Sequence, residues 1–294
     1  MSEFKDAFQR INETTNLIRN AARKVNSINF TVQTPAAKAT RKAMEFSSQL
    51  ASFKTHIGLI QSLDRIAEGF SETEEDIVIF KKAMVDLGYP PHDQISIKMM
   101  RSIAGDYKQN GKKHVEEYID EFMLYFFTPK VIQEKIAFKW EKYDFLNKRL
   151  PLLRNAVKAH NLGMYELVIP SILSQFEGII VDAFGVRGRV NGKIQKILYE
   201  TLLIKEDLSG FHFDYEIHEY YSNKILVEFA HGEEVKSEIS RHAILHGGDT
   251  NFGTETNSLK VILLFDFIAN SINELDVSTI KLGKSRVENP CHQP

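Results

Sequence analysis

An all-α fold of two helical domains is predicted by three observations. Apolar residues recur at helical spacing through most of the chain, as at Phe8, Ile11, Leu17 and Ile18 near its start. Helix-start signals stand in front of such runs: Thr34-Pro35, Ser71-Glu72-Thr73-Glu74 and Thr128-Pro129. Helix-ending glycines and prolines close them, as Gly88 with Pro90-Pro91 and as Gly247-Gly248.

In order, the pattern predicts a helix over about 4–25 and a long one from Thr34-Pro35 to about Gly69. The capping box at Ser71 starts a helix that ends at Gly88, because a side-chain oxygen there satisfies a free backbone N–H. Helices follow at about 94–103 and 112–127, and Thr128-Pro129 caps another reaching about Leu150. Pro151 marks the expected boundary between an N-terminal helical domain, 1–150, and a second domain, 151–285, followed by a tail, 286–294. Beyond it, helices are expected at about 152–160, 169–184 and 192–203, then a polar, aromatic-rich connection over 205–223. Ile225-Leu226-Val227-Glu228-Phe229 fits either a short strand or a helical turn. Residues 233–246 read as helical, and 256–275 as a last amphipathic helix.

With 43% hydrophobic and 26% charged residues, a chain of 294 residues can bury an ordinary core. Its one cysteine, Cys291, rules out an internal disulfide framework and a cysteine-based zinc site, as suits a reducing cytosol. The first residues lack a signal-peptide pattern, and runs such as Val261-Ile262-Leu263-Leu264-Phe265 are too short to span a bilayer. A soluble cytoplasmic protein without a membrane partner is expected. Residues 1–150 hold 23 Lys/Arg against 20 Asp/Glu, a net of +3, and residues 151–294 hold 14 against 19, a net of −5. Neither half has the basic excess of a protein that coats nucleic acid, so any such contact must be local.

Arg241-His242-Ala243-Ile244-Leu245-His246-Gly247 carries the most chemistry. A guanidinium grips phosphate oxygens with a fixed fork of donors, and an imidazole takes or gives a proton near neutral pH. On a helix, Arg241 and His246 stand about 140° apart around the axis, so a long arginine or a helix end must bring them together. His242 and His246, at i and i+4, share a face and also fit a two-histidine metal site, with Asp249 or His231 as further ligands. Gly185-Val-Arg-Gly-Arg-Val-Asn-Gly-Lys193 lacks the spacing of a phosphate-binding loop and reads as an inter-helix turn. Its Arg187, Arg189 and Lys193, with Lys196, are candidate phosphate contacts. Arg154 and His160 form a second Arg/His pair, with five residues between them.

The segment His246-Gly247, a polar Gly/Asn/Thr loop, and Asn257-Ser258-Leu259-Lys260 opening an apolar helix resembles the C-terminal end of HEPN domains. Tyr165 to Asp182, with Glu177 in its middle, looks like the first helix of such a bundle. The resemblance spans roughly 150–280 and rests on an Arg-x4–6-His hallmark with a polar residue after the arginine, here His242. It implies a HEPN-like helical bundle and metal-independent endoribonuclease activity, of the kind found in toxins and antiviral abortive-infection proteins. Arg241 would hold the phosphate and His246 would move the proton, with His242 orienting the substrate or sharing that work. Glu177 would position Arg241. No cofactor and no metal are implied. Two copies of the motif would meet across a homodimer, with RNA as substrate and room for an antitoxin or other regulatory partner. Two rival readings remain: a catalytically silent helical module that binds RNA or protein, and a metal-dependent hydrolase built on His242 and His246.

Overall fold

The computed structural model describes residues 72–204 and 212–288, within a compact unit that begins at Glu68. Among the described residues every regular element is helical and no strand occurs. The helices expected over 4–25 and up to Gly69, the tail beyond Glu288 with Cys291, and part of the 205–223 connection lie outside them; residues 286–288, expected in the tail, are helical instead.

Helix α1 (72–86) follows the Ser71 capping signal and stops at Gly88, whose φ of 79° suits a residue without a Cβ. Buried Tyr89 and His92 then lead to α2 (Ile97–Asn110). The single helix expected over 112–127 is instead two, α3 (Lys112–Glu116) and α4 (Ile119–Phe126). Thr128 caps α5 (129–140) as expected, its Oγ1 accepting from the Val131 N–H at 3.3 Å. That helix contains a π turn at Ile132–Ala137 and ends at Trp140 rather than near Leu150.

Pro151 lies in the first turn of α6 (Leu150–Asn161), where its missing N–H removes no helical bond. The helices before and after it share one hydrophobic core, from Ile77 on α1 to Ile272 near the C-terminus. A buried ion pair ties the two sides together: Lys81 on α1 meets Glu216 at 3.2 Å. The Tyr220 hydroxyl likewise donates to the Gly88 carbonyl at 3.0 Å.

The longest described helix is α7 (Tyr165–Phe184), four residues longer at its start than the pattern suggested. Pro170 lies inside it and removes only one backbone bond, which the surrounding packing tolerates. Its apolar face (Val168, Ile169, Ile172, Leu173, Phe176, Ile179, Ile180, Phe184) is fully buried. Each such side chain stabilises the fold by about 1.5–3 kcal/mol. By length and composition alone α7 is apolar enough to cross a membrane, although Ser171, Ser174, Gln175 and Glu177 interrupt its apolar runs. In this fold it is the element against which α6 and α11 (Glu255–Asn273) pack. Gly185, with φ 59°, ends it: the Gly185 and Val186 N–H groups return to the Asp182 and Val181 carbonyls. The glycine-rich stretch that follows is the expected turn, and Asn191 caps α8 (Gly192–Leu203) by accepting from the Ile194 N–H at 3.0 Å.

Two departures shape the site. The 205–223 connection holds a further helix, α9 (Asp214–Tyr220), which runs on as a π turn over Tyr221–Ile225 and buries Ile217, Tyr220 and Tyr221. Of the helix expected over 233–246, only α10 (Arg241–Leu245) forms. Serines account for the loss, because their hydroxyls compete for backbone partners. Ser237 donates to the Lys224 carbonyl at 2.8 Å, and Ser240 donates to the Val227 carbonyl at 3.3 Å. Ser240 also accepts from the Ala243 N–H at 3.3 Å, so it caps a new helix rather than continuing an old one. Helix α12 (Val277–Glu288) closes the fold, with Gly283 set against the Phe184 ring.

The most buried charged cluster lies on α11. Asp266 has no exposed surface and accepts from Trp140 Nε1 at 2.9 Å, Lys139 Nζ at 2.7 Å and His92 Nε2 at 3.1 Å. The Gln94 N–H donates to His92 Nδ1 at 3.3 Å, which leaves Nε2 to donate to the carboxylate.

Candidate active site

Helix α10 is one and a half turns long and is anchored by buried Ala243 and Ile244. It ends at Gly247, with φ 72°, where the Gly248 N–H returns to the Ala243 carbonyl at 2.7 Å. Arg241 and His242 are half-buried at its start, and His246 is exposed at its end.

Arg241 reaches toward α7. Its Nη2 donates to Glu177 Oε2 at 2.7 Å, and Gln195 Nε2 on α8 donates to the same oxygen at 2.8 Å. Beneath them the hydroxyl of buried Tyr221, Arg241 Nε and Gln195 Oε1 have no hydrogen-bond partner. The Tyr221 and Tyr199 rings stand 4.0 Å apart, and the Tyr199 hydroxyl donates to the Phe176 carbonyl at 2.8 Å. Burial pushes the Tyr221 phenol well up from its usual value, so it stays protonated at neutral pH.

The imidazoles of His242 and His246 are nearly parallel, 2° between planes and 6.1 Å between centroids. Among the described residues no hydrogen bond joins Arg241 directly to His246. His242 stands between them in electrostatic terms. Burial lowers its pKa first, then the charge of Arg241 and the neighbouring His246, against a weaker opposite pull from Glu228 and Glu177. An NMR titration of the imidazole resonances is therefore expected to place His242 below 6.5, and Arg241→Gln to move it upward. A midpoint at or above 6.5 in the unaltered chain would contradict this electrostatic arrangement. The neutral form is the one favoured in the folded state, so the stability linked to His242 declines as pH falls below 6.5.

Arg187, Arg189, Lys193 and Lys196 are exposed on the turn before α8 and on its first turns. Among the described residues they form no ion pair, and none is bonded to Arg241 or His242. They are neighbours of Gln195 in the chain. The rival pair does not assemble. Arg154 is held by Glu141 through two bonds of 2.7 and 2.5 Å, while His160 is buried with Nδ1 2.8 Å from Ser258 Oγ. Those two side chains lie on different faces of α6.

Among the described residues no three His, Cys, Asp or Glu side chains gather where an ion could be held. His231 packs instead on the Phe229 ring at 4.9 Å, so neither it nor Asp249 completes a donor set with His242 and His246.

Two features escaped sequence reasoning. Gln195 is a buried polar residue on the otherwise apolar face of α8 formed by Leu198, Tyr199 and Leu202, which was a readable signal. Tyr221 could not be read, because the helix that carries it was not. Comparison of the chain with family models, with curated proteins and with solved structures finds no match in any of the three.

Proposed function

We propose that this chain is a metal-independent endoribonuclease of HEPN type, acting as a toxin or abortive-infection effector. The observation that carries the reading is the grouping of Arg241, His242 and His246 on one short helix, with Arg241 oriented by Glu177 of the long central helix. In the reaction, the ribose 2′-oxygen attacks its own phosphorus and the bond to the 5′-oxygen breaks. The 2′-hydroxyl proton passes to a base and another is given to the leaving oxygen, which leaves a 2′,3′-cyclic phosphate and a 5′-hydroxyl. His246, exposed to substrate, serves as general acid or base, and His242, disposed to stay neutral, is able to accept a proton. Arg241 stabilises the charge gathering on the phosphate oxygens, a contribution of about 3 kcal/mol for a donor of this kind. Arg187, Arg189 and Lys193 hold the flanking phosphates. One chain supplies one arginine and one pair of histidines, so a homodimer with a composite cleft completes the site, and an antitoxin-like partner would act by covering it.

The test is cleavage of RNA in EDTA, lost in His246→Ala. Activity that needs an added divalent ion, or that survives His246→Ala, would overturn the reading. One observation favours a second reading, a catalytically silent helical binding module: the Arg241 guanidinium is already engaged by an acid of its own chain. Absence of RNA cleavage by the folded, dimeric chain would select that alternative.

A further inference from the structure

A polar cleft of about 430 Å³ lies beside α10 and is lined by Asp120, Glu238, Asp249, Asn257 and Lys260 among others. A second cavity of about 350 Å³ shares Glu238 and Lys260 with it. Both segments that border α10 contribute. Glu238 lies two residues before its cap Ser240, and the Asp249 N–H is bonded to the Ala243 carbonyl at 3.1 Å.

Two of the lining residues are largely buried, Asn257 at 3% exposure and Lys260 at 8%. Lys260 interrupts an apolar stretch of α11, where an aliphatic residue would pack more cheaply. Its ammonium rests 4.9 Å from the Tyr89 ring centroid and meets Glu238 at 3.5 Å, a long contact to a side chain 72% exposed. Most of its donor capacity is therefore free. Asn257 donates through Nδ2 to the Phe252 carbonyl at 3.1 Å, while its buried Oδ1 has no partner. Asp120 is engaged by the Tyr89 hydroxyl at 2.6 Å. The charged part of the wall is one donor, Lys260, facing Glu238 and Asp249, one oxygen of which also takes the Asn251 N–H at 2.8 Å; Asn257 Oδ1 is a free acceptor, and Asn251, Thr254 and Thr256 complete the polar lining.

This pattern disfavours phosphate, which would meet three carboxylates around one ammonium. It complements a neutral group with one acceptor and two adjacent donors. Among the RNA bases only guanine offers that edge, with O6 accepting and N1–H and N2–H2 donating. We infer that the cleft is a subsite for an unpaired guanine, seated next to the scissile phosphate. Lys260 donates to O6, and the carboxylates and Asn257 accept from the two nitrogens. The inference rests on the ribonuclease reading for its biological sense, but the binding itself does not.

The experiment uses the full-length His246→Ala chain and the four nucleosides, with binding followed by saturation-transfer NMR and calorimetry. Guanosine is expected to bind at least ten-fold more tightly than adenosine, cytidine or uridine. Lys260→Met, verified as folded by circular dichroism, is expected to remove that preference. Asp249→Asn, on the exposed loop, is expected to weaken guanosine several-fold and serves if Lys260→Met does not fold. Equal binding of all four nucleosides, or a preference unchanged in the folded variants, would overturn the subsite. Guanosine preference, with no RNA cleavage by the unaltered chain, would uphold the subsite and sink the nuclease, and cleavage by the unaltered chain without guanosine preference would do the reverse.

Discussion

Replacing Asp266 by alanine is expected to lower folding stability by about 3–5 kcal/mol, a large part of the total for a unit of this size. The carboxylate is the common acceptor for Trp140, Lys139 and His92, which come from two other segments of the chain. Its removal leaves the indole N–H and the imidazole N–H buried without partners and the Lys139 ammonium without its counter-charge. Burial by itself would raise the pKa of Asp266. The hydrogen bond from His92, together with the Lys139 ammonium, outweighs that effect and holds the carboxyl below its ordinary value. A group with a depressed folded-state pKa stabilises fully above its unfolded value, near 3.9, and loses that contribution as pH falls through the folded one. Denaturant titration of the alanine variant at neutral pH is the measurement, and Asp266→Asn, which keeps an acceptor for Trp140, should lose less. A loss under about 1 kcal/mol would show that the cluster is not a fastening point.

The parts of this fold that were legible are those where local chemistry and tertiary packing agree. Thr128 caps a helix because it places a side-chain oxygen where a free backbone N–H needs one. Gly88 and Gly185 end helices because their positive φ suits glycine. The misread stretches are those where a tertiary contact decides. Nothing local reveals that Ser237 and Ser240 turn back to carbonyls of residues 224 and 227, thirteen positions earlier in each case, and so dissolve the first half of a periodic helix. The 205–223 stretch looked polar because its tyrosines and acids are counted as polar in a sequence, whereas Tyr220, Tyr221 and Glu216 are buried.

The candidate site divides in the same way. Arg241, His242 and His246 were legible because one short stretch of chain carries them, and Glu177 because it sits midway along an apolar helix. What could not be read is that α8 and α9 meet beneath the arginine, bringing Gln195 and Tyr221 to it. The lysine at 260 stands in plain view inside an apolar run, but the cleft also draws Asp120 from a distant segment and Val235 and Glu238 from a stretch read as continuous helix.

Arg241→Lys is expected to lower RNA cleavage by about 10²–10³-fold, or ~2.7–4 kcal/mol of transition-state stabilisation, while leaving the fold intact. The reason lies in how the arginine is held. Glu177 takes Nη2 at 2.7 Å, which aims the guanidinium and still leaves other N–H donors of the planar fork for a phosphate. A lysine is a single point charge on a flexible stem. Satisfying Glu177 withdraws it from the substrate, and reaching the substrate frees it from Glu177. Lysine keeps a positive charge and a donor beside Glu177, so stability should change little. Glu177→Gln retains an oxygen for Arg241 and the partner for Gln195, so its cleavage loss should be smaller than that of Arg241→Lys. Steady-state cleavage of a short RNA, measured beside thermal melting, separates the two roles of the arginine. A variant that melts unchanged and cuts poorly places Arg241 at the phosphate. One that melts early and, on a per-folded-molecule basis, cuts as before would make the Arg241–Glu177 pair a strut between α10 and α7 and nothing more.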